Sequence, residues 1–254
     1  MKFIQFDRQA GWLRTRWKPA AATFALLLLV AVLVLALAPG RHRIAYGPRP
    51  AGERPELLLL TSLPIVFPEG FNLDAKASPV LEALQTRYRV VPIGLADRDS
   101  LRGHQLLLMI QPRAQPAEVL VQLDQWVRGG GRVVLLADPA LQWPSERALG
   151  DPIRPPPGFA DTGLLGHWGL RLDAPEVLGP ASAKRHGLDI RTVSPGRLVS
   201  TSSPCRTTGS GLVARCRVGR GEAIVVSDAD FIDVQRFDRT NLHLLIAELA
   251  SLED

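Results

Sequence analysis

The sequence predicts an α/β three-layer sandwich on an open, mainly parallel sheet, spanning residues 56–254 and preceded by one transmembrane helix. Three observations predict it. Short, wholly apolar runs, "LLLL" at 57–60 and "LLLMI" at 106–110, have strand length and suit burial on both faces. Segments with helical spacing alternate with them, the pattern of strands joined by crossover helices. One charge-free run, "AAATFALLLLVAVLVLALA" at 20–38, stands apart near the N-terminus.

That run has nineteen residues. At 1.5 Å per residue it spans roughly 28 Å, close to the hydrocarbon core of a bilayer. It reads as an uncleaved anchor, because signal cores are about 7–15 residues long. A cleaved signal peptide is the alternative, since Ala36, Leu37 and Ala38 fit a small-x-small cleavage pattern. Lys2, Arg8, Arg14, Arg16 and Lys18 precede the run, and Arg41, Arg43, Arg49 and Arg54 follow it. This bias expects residues 1–19 in the cytoplasm and the main domain outside it, a single-pass arrangement in the inner membrane with a periplasmic domain. Trp12 and Trp17 suit the interfacial belt on the cytoplasmic side. Residues 39–55, rich in Pro, Gly and Arg, read as a linker.

The domain elements follow in order. Residues 57–60 form the first strand. Ser78 and Pro79 supply an N-cap and first turn for a helix whose Val80, Leu81 and Leu84 share one face. "RVVPI" is a short strand, and 106–110 is another. Pro116 opens a helix with Val119, Leu120, Leu123, Trp126 and Val127 on one side. Gly129, Gly130 and Gly131 stop it, and 133–137 is the next strand. "DTGLLGHWGLRL" gives a short helix and a strand, with Asp161 as cap. An antiparallel insertion is expected near 170–218, within which 173–200 carries few signals. Residues 211–227 read as a hairpin turning at 219–221. A final helix bears Leu242, Leu245, Ile246 and Leu249 as a stripe, with Asn241 as N-cap.

Charge excludes one class of function. Residues 1–54 carry nine Lys/Arg and two Asp/Glu, whereas 55–254 carry 21 and 23. The basic character belongs to the membrane flanks, where it can meet anionic headgroups, so the lipid bilayer is the expected partner and nucleic acid is not. Cys205 and Cys216 flank a Gly-Ser-Gly turn and are candidates for a disulfide, with two free thiols as the alternative.

Open α/β sheets gather ligands at the carboxyl ends of their strands. Those ends are Thr61 and Ser62, then Gln111 and Arg113, then Asp138, then Ser227, Asp228 and Asp230. Asp228, Asp230 and Asp233 are oxygen donors of the kind a hard cation takes. The calcium-loop pattern is missing, however, and aspartates after a strand also accept from backbone N–H groups of the next turn. No G-x-S-x-G elbow or Walker loop occurs, and the five histidines lack metal-ligand spacing. No cofactor is expected.

"LDQWVRGGGRVVLLADPAL" together with "GRGEAIVVSDADFID…NLHLLIAEL" resembles the class I glutamine-amidotransferase-like (GATase-like) domain of bacterial membrane proteins, a flavodoxin-like three-layer fold. It is similar to the extracytoplasmic part of gliding-type ABC transporter accessory subunits. The matching positions are Gly129, Gly130, Gly131 and Asp138, then Asp228, Asp230, Phe231 and Asn241. Active amidotransferases of this fold carry a nucleophilic cysteine on a strand-to-helix elbow. After Ile110 this chain has "QPRAQP" instead. The resemblance therefore implies a non-catalytic, membrane-anchored accessory or ligand-sensing domain, with membrane subunits of a transporter as partners. Two alternatives stand beside it: a metal-assisted hydrolase using Asp228 and Asp230, and a structural or polymer-binding protein of the cell envelope.

Overall fold

The computed structural model describes residues 47–70, 77–202, 204–237 and 239–253. It is an α/β protein around a seven-stranded, mainly parallel sheet. The strands are β1 (Glu56–Thr61), β2 (Arg89–Pro92), β3 (Leu106–Ile110), β4 (Arg132–Leu136), β5 (Leu170–Asp173), β6 (Pro180–Arg185), β7 (Leu188–Val193), β8 (Arg197–Ser200), β9 (Cys205–Thr208), β10 (Val213–Val218) and β11 (Gly221–Val226). The helices are α1 (Pro79–Gln85), α2 (Arg98–Leu101), α3 (Ala117–Arg128), α4 (Leu164–Trp168) and α5 (Leu242–Ala250). The main sheet runs β2-β1-β3-β4-β11-β10-β9. Its first five strands are parallel, and β10 opposes both neighbours.

Strand periodicity divides the core into two layers, one on each face of the sheet. Leu57, Leu59, Leu106, Leu108, Val134, Ile224 and Val226 face one layer with Val80 and Leu84 of α1 and Leu245 and Leu249 of α5. Leu58, Leu60, Leu107, Met109, Val133, Leu135 and Val225 face the other with Val119, Leu123 and Val127 of α3 and Trp168 of α4. Each fully buried Leu or Val contributes about 1.5–3 kcal/mol relative to exposure, which is why these runs contain no polar residue.

The helix ends obey local chemistry. Ser78 Oγ accepts from Val80 N (3.2 Å) and Pro79 fills the first turn of α1. The three glycines end α3: Gly129 N and Gly131 N both reach Trp126 O, while Gly130 takes a φ of 120° that L side chains rarely adopt. Asp161 Oδ1 accepts from Gly163 N and Leu165 N ahead of α4.

Two expectations change. The antiparallel insertion at 170–218 is smaller than its pattern suggested. β9 and β10 belong to the main sheet, and only β5–β8 lie outside it, as two antiparallel ribbons, β5-β8 and β6-β7. The reason is continuity of burial: Ala214, Cys216 and Val218 of β10 pack into the same layer as β11. Cys205 and Cys216 stand directly opposite in the β9–β10 register and form a disulfide. Asn241 does not cap α5, since its own backbone is helical and its side chain bonds elsewhere.

The end of the linker is packed. Arg49 N donates to Thr86 O (2.9 Å), and a 3₁₀ turn covers Ala51–Glu53. Residues 1–46, and with them the apolar run at 20–38, lie outside the described residues. Among the described residues no helix is long and apolar enough to cross a membrane.

Gly221 opens β11 where a Cβ would lie 2.1 Å from Val127 O and 2.2 Å from Gly131 O. Gly221→Ala is therefore expected to destabilise the domain by about 1–3 kcal/mol, the usual cost of overpacking, read as a lower urea midpoint at unchanged slope. The same substitution at Gly103, which has open space but a φ of 80°, should cost less.

Candidate functional site

The strand order reverses at β1, which has β2 on one side and β3 on the other. Crevices outside the carboxyl ends at such a switch point are the usual ligand sites of open sheets. At the end of β3, Gln111 is fully buried and has a φ of 42°, in the left-handed region. Its side chain clamps the next strand end: Nε2 donates to Asp138 O (3.0 Å), and Asp138 N donates to Oε1 (2.9 Å). Ser62 Oγ donates to Gln111 O, tying β1 to the same point.

Asp138, at the end of β4, is also fully buried. Its Oδ1 accepts from Ala140 N (2.8 Å) and its Oδ2 from Ala229 N (2.9 Å), so one carboxylate joins the tips of β4 and β11. Asp228 Oδ1 accepts from Phe231 N (2.8 Å), and Thr192 Oγ donates to its Oδ2. Asp230 Oδ2 accepts from Gln142 N (2.8 Å), whereas Asp230 Oδ1 is buried without a partner. Burial raises the pKa of Asp138. Burial, then the charge of Asp138, raises Asp228 well above the carboxylate range. Burial pushes Asp230 up to about 7, with the charges of Asp138 and Asp233 adding to the shift.

The corner is closed by the chain itself. Gln142, from the loop after β4, and Thr192 and Ser194, from β7 and its end, cover the aspartates. Gln142 Nε2 donates to Ser194 Oγ (2.8 Å). Asn241 serves as a cross-tie: Nδ2 donates to Arg191 O (2.7 Å) and Phe231 O (2.8 Å). Phe231 is buried beneath the turn. Ser227 Oγ bonds Gly196 O (2.8 Å) and, at longer range, Gly211 O and Leu212 O. At Gln111, Asp138, Ser227, Asp228 and Asp230, backbone amides and the β6-β7 ribbon thus occupy every carboxylate oxygen but Asp230 Oδ1. Asp233 Oδ1 accepts from Gln235 N (3.0 Å) and Arg236 N (3.4 Å). Among the described residues no group of three or more His, Cys, Asp or Glu could hold a metal ion.

Of the remaining candidates, Ser62 reaches the corner through Gln111 O, whereas Thr61 and Arg113 bond elsewhere. Thr61 and Ser62 line a recess of about 200 Å³ with Val66, Phe67, Ile93 and Ile153. Thr61 Oγ1 accepts from Leu63 N (3.0 Å) at its floor. Arg113 is exposed and donates to Arg154 O (2.8 Å). Thr192, Ser194 and Gln142 escaped the sequence reading. The signal for the ribbon was the alternation of "PASAKR" and "LDIRTV" around His186-Gly187.

No family profile and no curated protein matches the chain. Among solved structures, its fold is similar to an exo-β-1,4-mannosidase, Op5Man5, from Opitutaceae bacterium strain TAV5. That match has 16% identity and a TM-score of 0.50 over 78% of this chain and 36% of the mannosidase. It is similar to a cytoplasmic protein, STM1381, from Salmonella typhimurium LT2, at 9% identity and a TM-score of 0.51 over 78% of this chain and 99% of that one. A cold-adapted β-galactosidase from Rahnella sp. R3 matches at 15% identity and a TM-score of 0.45, over 79% of this chain and 32% of that enzyme. The chain spans about a third of the length of either glycosidase. At these identities the likeness to the mannosidase and to STM1381 shows the fold alone, and the β-galactosidase match carries no argument.

Two outcomes follow. Below pH 3.8 Asp230 is protonated in both the folded and unfolded chain; as pH rises toward about 7 the unfolded chain ionises first. Stability therefore falls across that window, and Asp138 and Asp228, whose pKa values are also raised, add to the fall in the same direction. Glu248 and Glu253, whose pKa values are lowered, act oppositely and only at the acid end, below about 4.5. Asp230→Asn should make the decline between pH 5 and 7 shallower in urea titrations, with the contribution of Asp138 and Asp228 remaining. Separately, Gln111→Ala should lose about 2 kcal/mol with its two buried hydrogen bonds. Gln111→Gly should lose less, because glycine relieves the left-handed backbone.

Proposed function

We propose that the protein is a membrane-anchored accessory or ligand-sensing domain without its own catalytic chemistry. It belongs with the GATase-like, flavodoxin-like domains that its motifs resemble, and it acts beside membrane subunits of a transport system. The observation that carries this reading is Gln111. A nucleophile elbow is a strained turn directly after a strand, and Gln111 occupies such a turn after β3 with a φ of 42°. Its amide is no nucleophile, and both its polar atoms are engaged by Asp138. Both cysteines are joined to each other on β9 and β10, away from that elbow. The strand order β2-β1-β3-β4-β11 supports the doubly wound, flavodoxin-like assignment. The recess at Thr61 and Ser62 beside the switch point is the candidate sensing site. Its about 200 Å³ suits only a small, mostly apolar ligand.

A metal-assisted hydrolase using Asp228 and Asp230 is the second reading. The partnerless Asp230 Oδ1 and the raised pKa of both aspartates favour it, because such groups also mark active sites.

Purification of the full chain from membranes in mild detergent tests the first reading. The expected result is co-purification of integral membrane subunits, retained in Asp230→Asn. A stable, partnerless, ligand-free monomer would contradict it. Bound divalent metal that Asp228→Asn and Asp230→Asn both remove, with folding intact, would establish the second.

A further inference from the structure

Although residues 55–254 carry slightly more acidic than basic residues, the charge within the domain is not evenly spread. The register of the sheet aligns Glu56 with Arg89, Leu106 with Arg132, Arg132 with Glu222, and Glu222 with Arg217. These positions form the amino-end edge of the parallel strands, opposite the aspartate corner. Arg220 joins them: its N donates to Arg128 O (3.0 Å) and its Nη2 to Gly129 O (2.9 Å). Three carboxylates at the edge are already paired, while Glu53 stands beside them on the cleft. Glu56 meets Arg89 and His104, Glu222 meets Arg215, and Glu253 meets Arg49 and Arg87. Among the described residues, no carboxylate lies within ion-pair distance of Arg54, Arg132, Arg217 or Arg220. Arg132 Nη1 donates to a carbonyl, Glu253 O (2.9 Å), beside a cleft of about 590 Å³ of mixed charge, lined also by Arg49, His104, Glu53, Glu56 and Glu253. Among the described residues, four guanidiniums without a paired carboxylate thus share one edge, and guanidinium is well matched to phosphate.

The chain also enters the domain at this edge, where Gly47 O accepts from Arg87 Nη1 (3.4 Å) and Arg49 N bonds Thr86 O. Eight residues, 39–46, separate that point from the apolar run at 20–38, a reach of at most about 29 Å. Two of those eight are Arg41 and Arg43.

We infer that the amino-end edge of the sheet is a docking surface for anionic phospholipid headgroups, met by the guanidiniums of Arg54, Arg132, Arg217 and Arg220. The inference rests on the membrane-anchored reading for bringing the edge near a bilayer. Polybasic segments close to an anchor gain from anionic lipid, and the gain disappears within a Debye length.

The test uses the full chain reconstituted in nanodiscs of phosphatidylcholine alone or with phosphatidylglycerol. Amide exchange is read at residues 85–90, 101–106, 128–133 and 216–222. Exchange there should slow by about tenfold in the anionic discs only. The protection should vanish in Arg217→Glu/Arg220→Glu, whose thermal midpoint should fall by no more than the loss of one exposed hydrogen bond, Arg220 to Gly129 O, requires. It should also weaken as salt rises from about 0.1 M to about 1 M. Equal exchange in both discs would overturn the inference while leaving the anchor intact, as would protection by inorganic phosphate in neutral discs. Co-elution with anionic discs alone would support the edge and remove the anchor. Co-elution with neither would overturn both.

Discussion

The carboxylate of Asp138 accepts one amide from its own loop, at Ala140, and one from the tip of the neighbouring strand, at Ala229. Parallel strands end with free backbone groups, and a buried end needs partners for them. Asp138 and Asp228 supply those partners at β4 and β11, and Gln111 supplies them between β3 and β4. The remainder of the upper half of the domain is arranged around these ties. The loop after β4 comes back to give Gln142 to Asp230, and the β6-β7 ribbon lies across to give Thr192 to Asp228.

That arrangement has an electrostatic cost. Three carboxyl groups share a buried corner, and burial disfavours their charge. The chain accepts raised pKa values there and lowered ones elsewhere. Glu248, buried on α5, is offset by a two-pronged contact from Arg185 and a contact from His186 at the tip of the ribbon. The ribbon is therefore pinned at both ends: by the aspartate corner near Thr192 and by α5 near His186. With a closed carboxyl end and a basic amino end, the domain has one polar edge turned inward on itself and one turned outward.

Much of this was legible in the sequence where burial is two-sided. Runs such as 57–60 and 106–110 can only be inner strands, and Ser78-Pro79 and Gly129, Gly130 and Gly131 mark helix ends by chemistry that acts within a few residues. The positions at the strand tips were legible as well. Their closure was not, because Gln142 and Thr192 reach Asp230 and Asp228 from 88 and 36 positions away, and nothing local announces such a contact. The hairpin of β10 and β11 is legible in 211–227, but the membership of β9 and β10 in the main sheet is not, because "CRTT" and "VARCRV" carry exposed polar residues on one side, as an edge strand and its neighbour do. The basic edge was hidden for a different reason: net charge sums over a domain, and only register shows which residues share an edge.

The account stands on the claim that the aspartate corner is a structural tie, closed to ligand and solvent. Native-state hydrogen exchange of the Ala140, Gln142, Ala229 and Phe231 amides tests that claim most directly. The account predicts that these four exchange only with global unfolding, at the same free energy as the amides of β4 and β11. Exchange through a low-energy local opening that frees the corner while the sheet stays protected would contradict it.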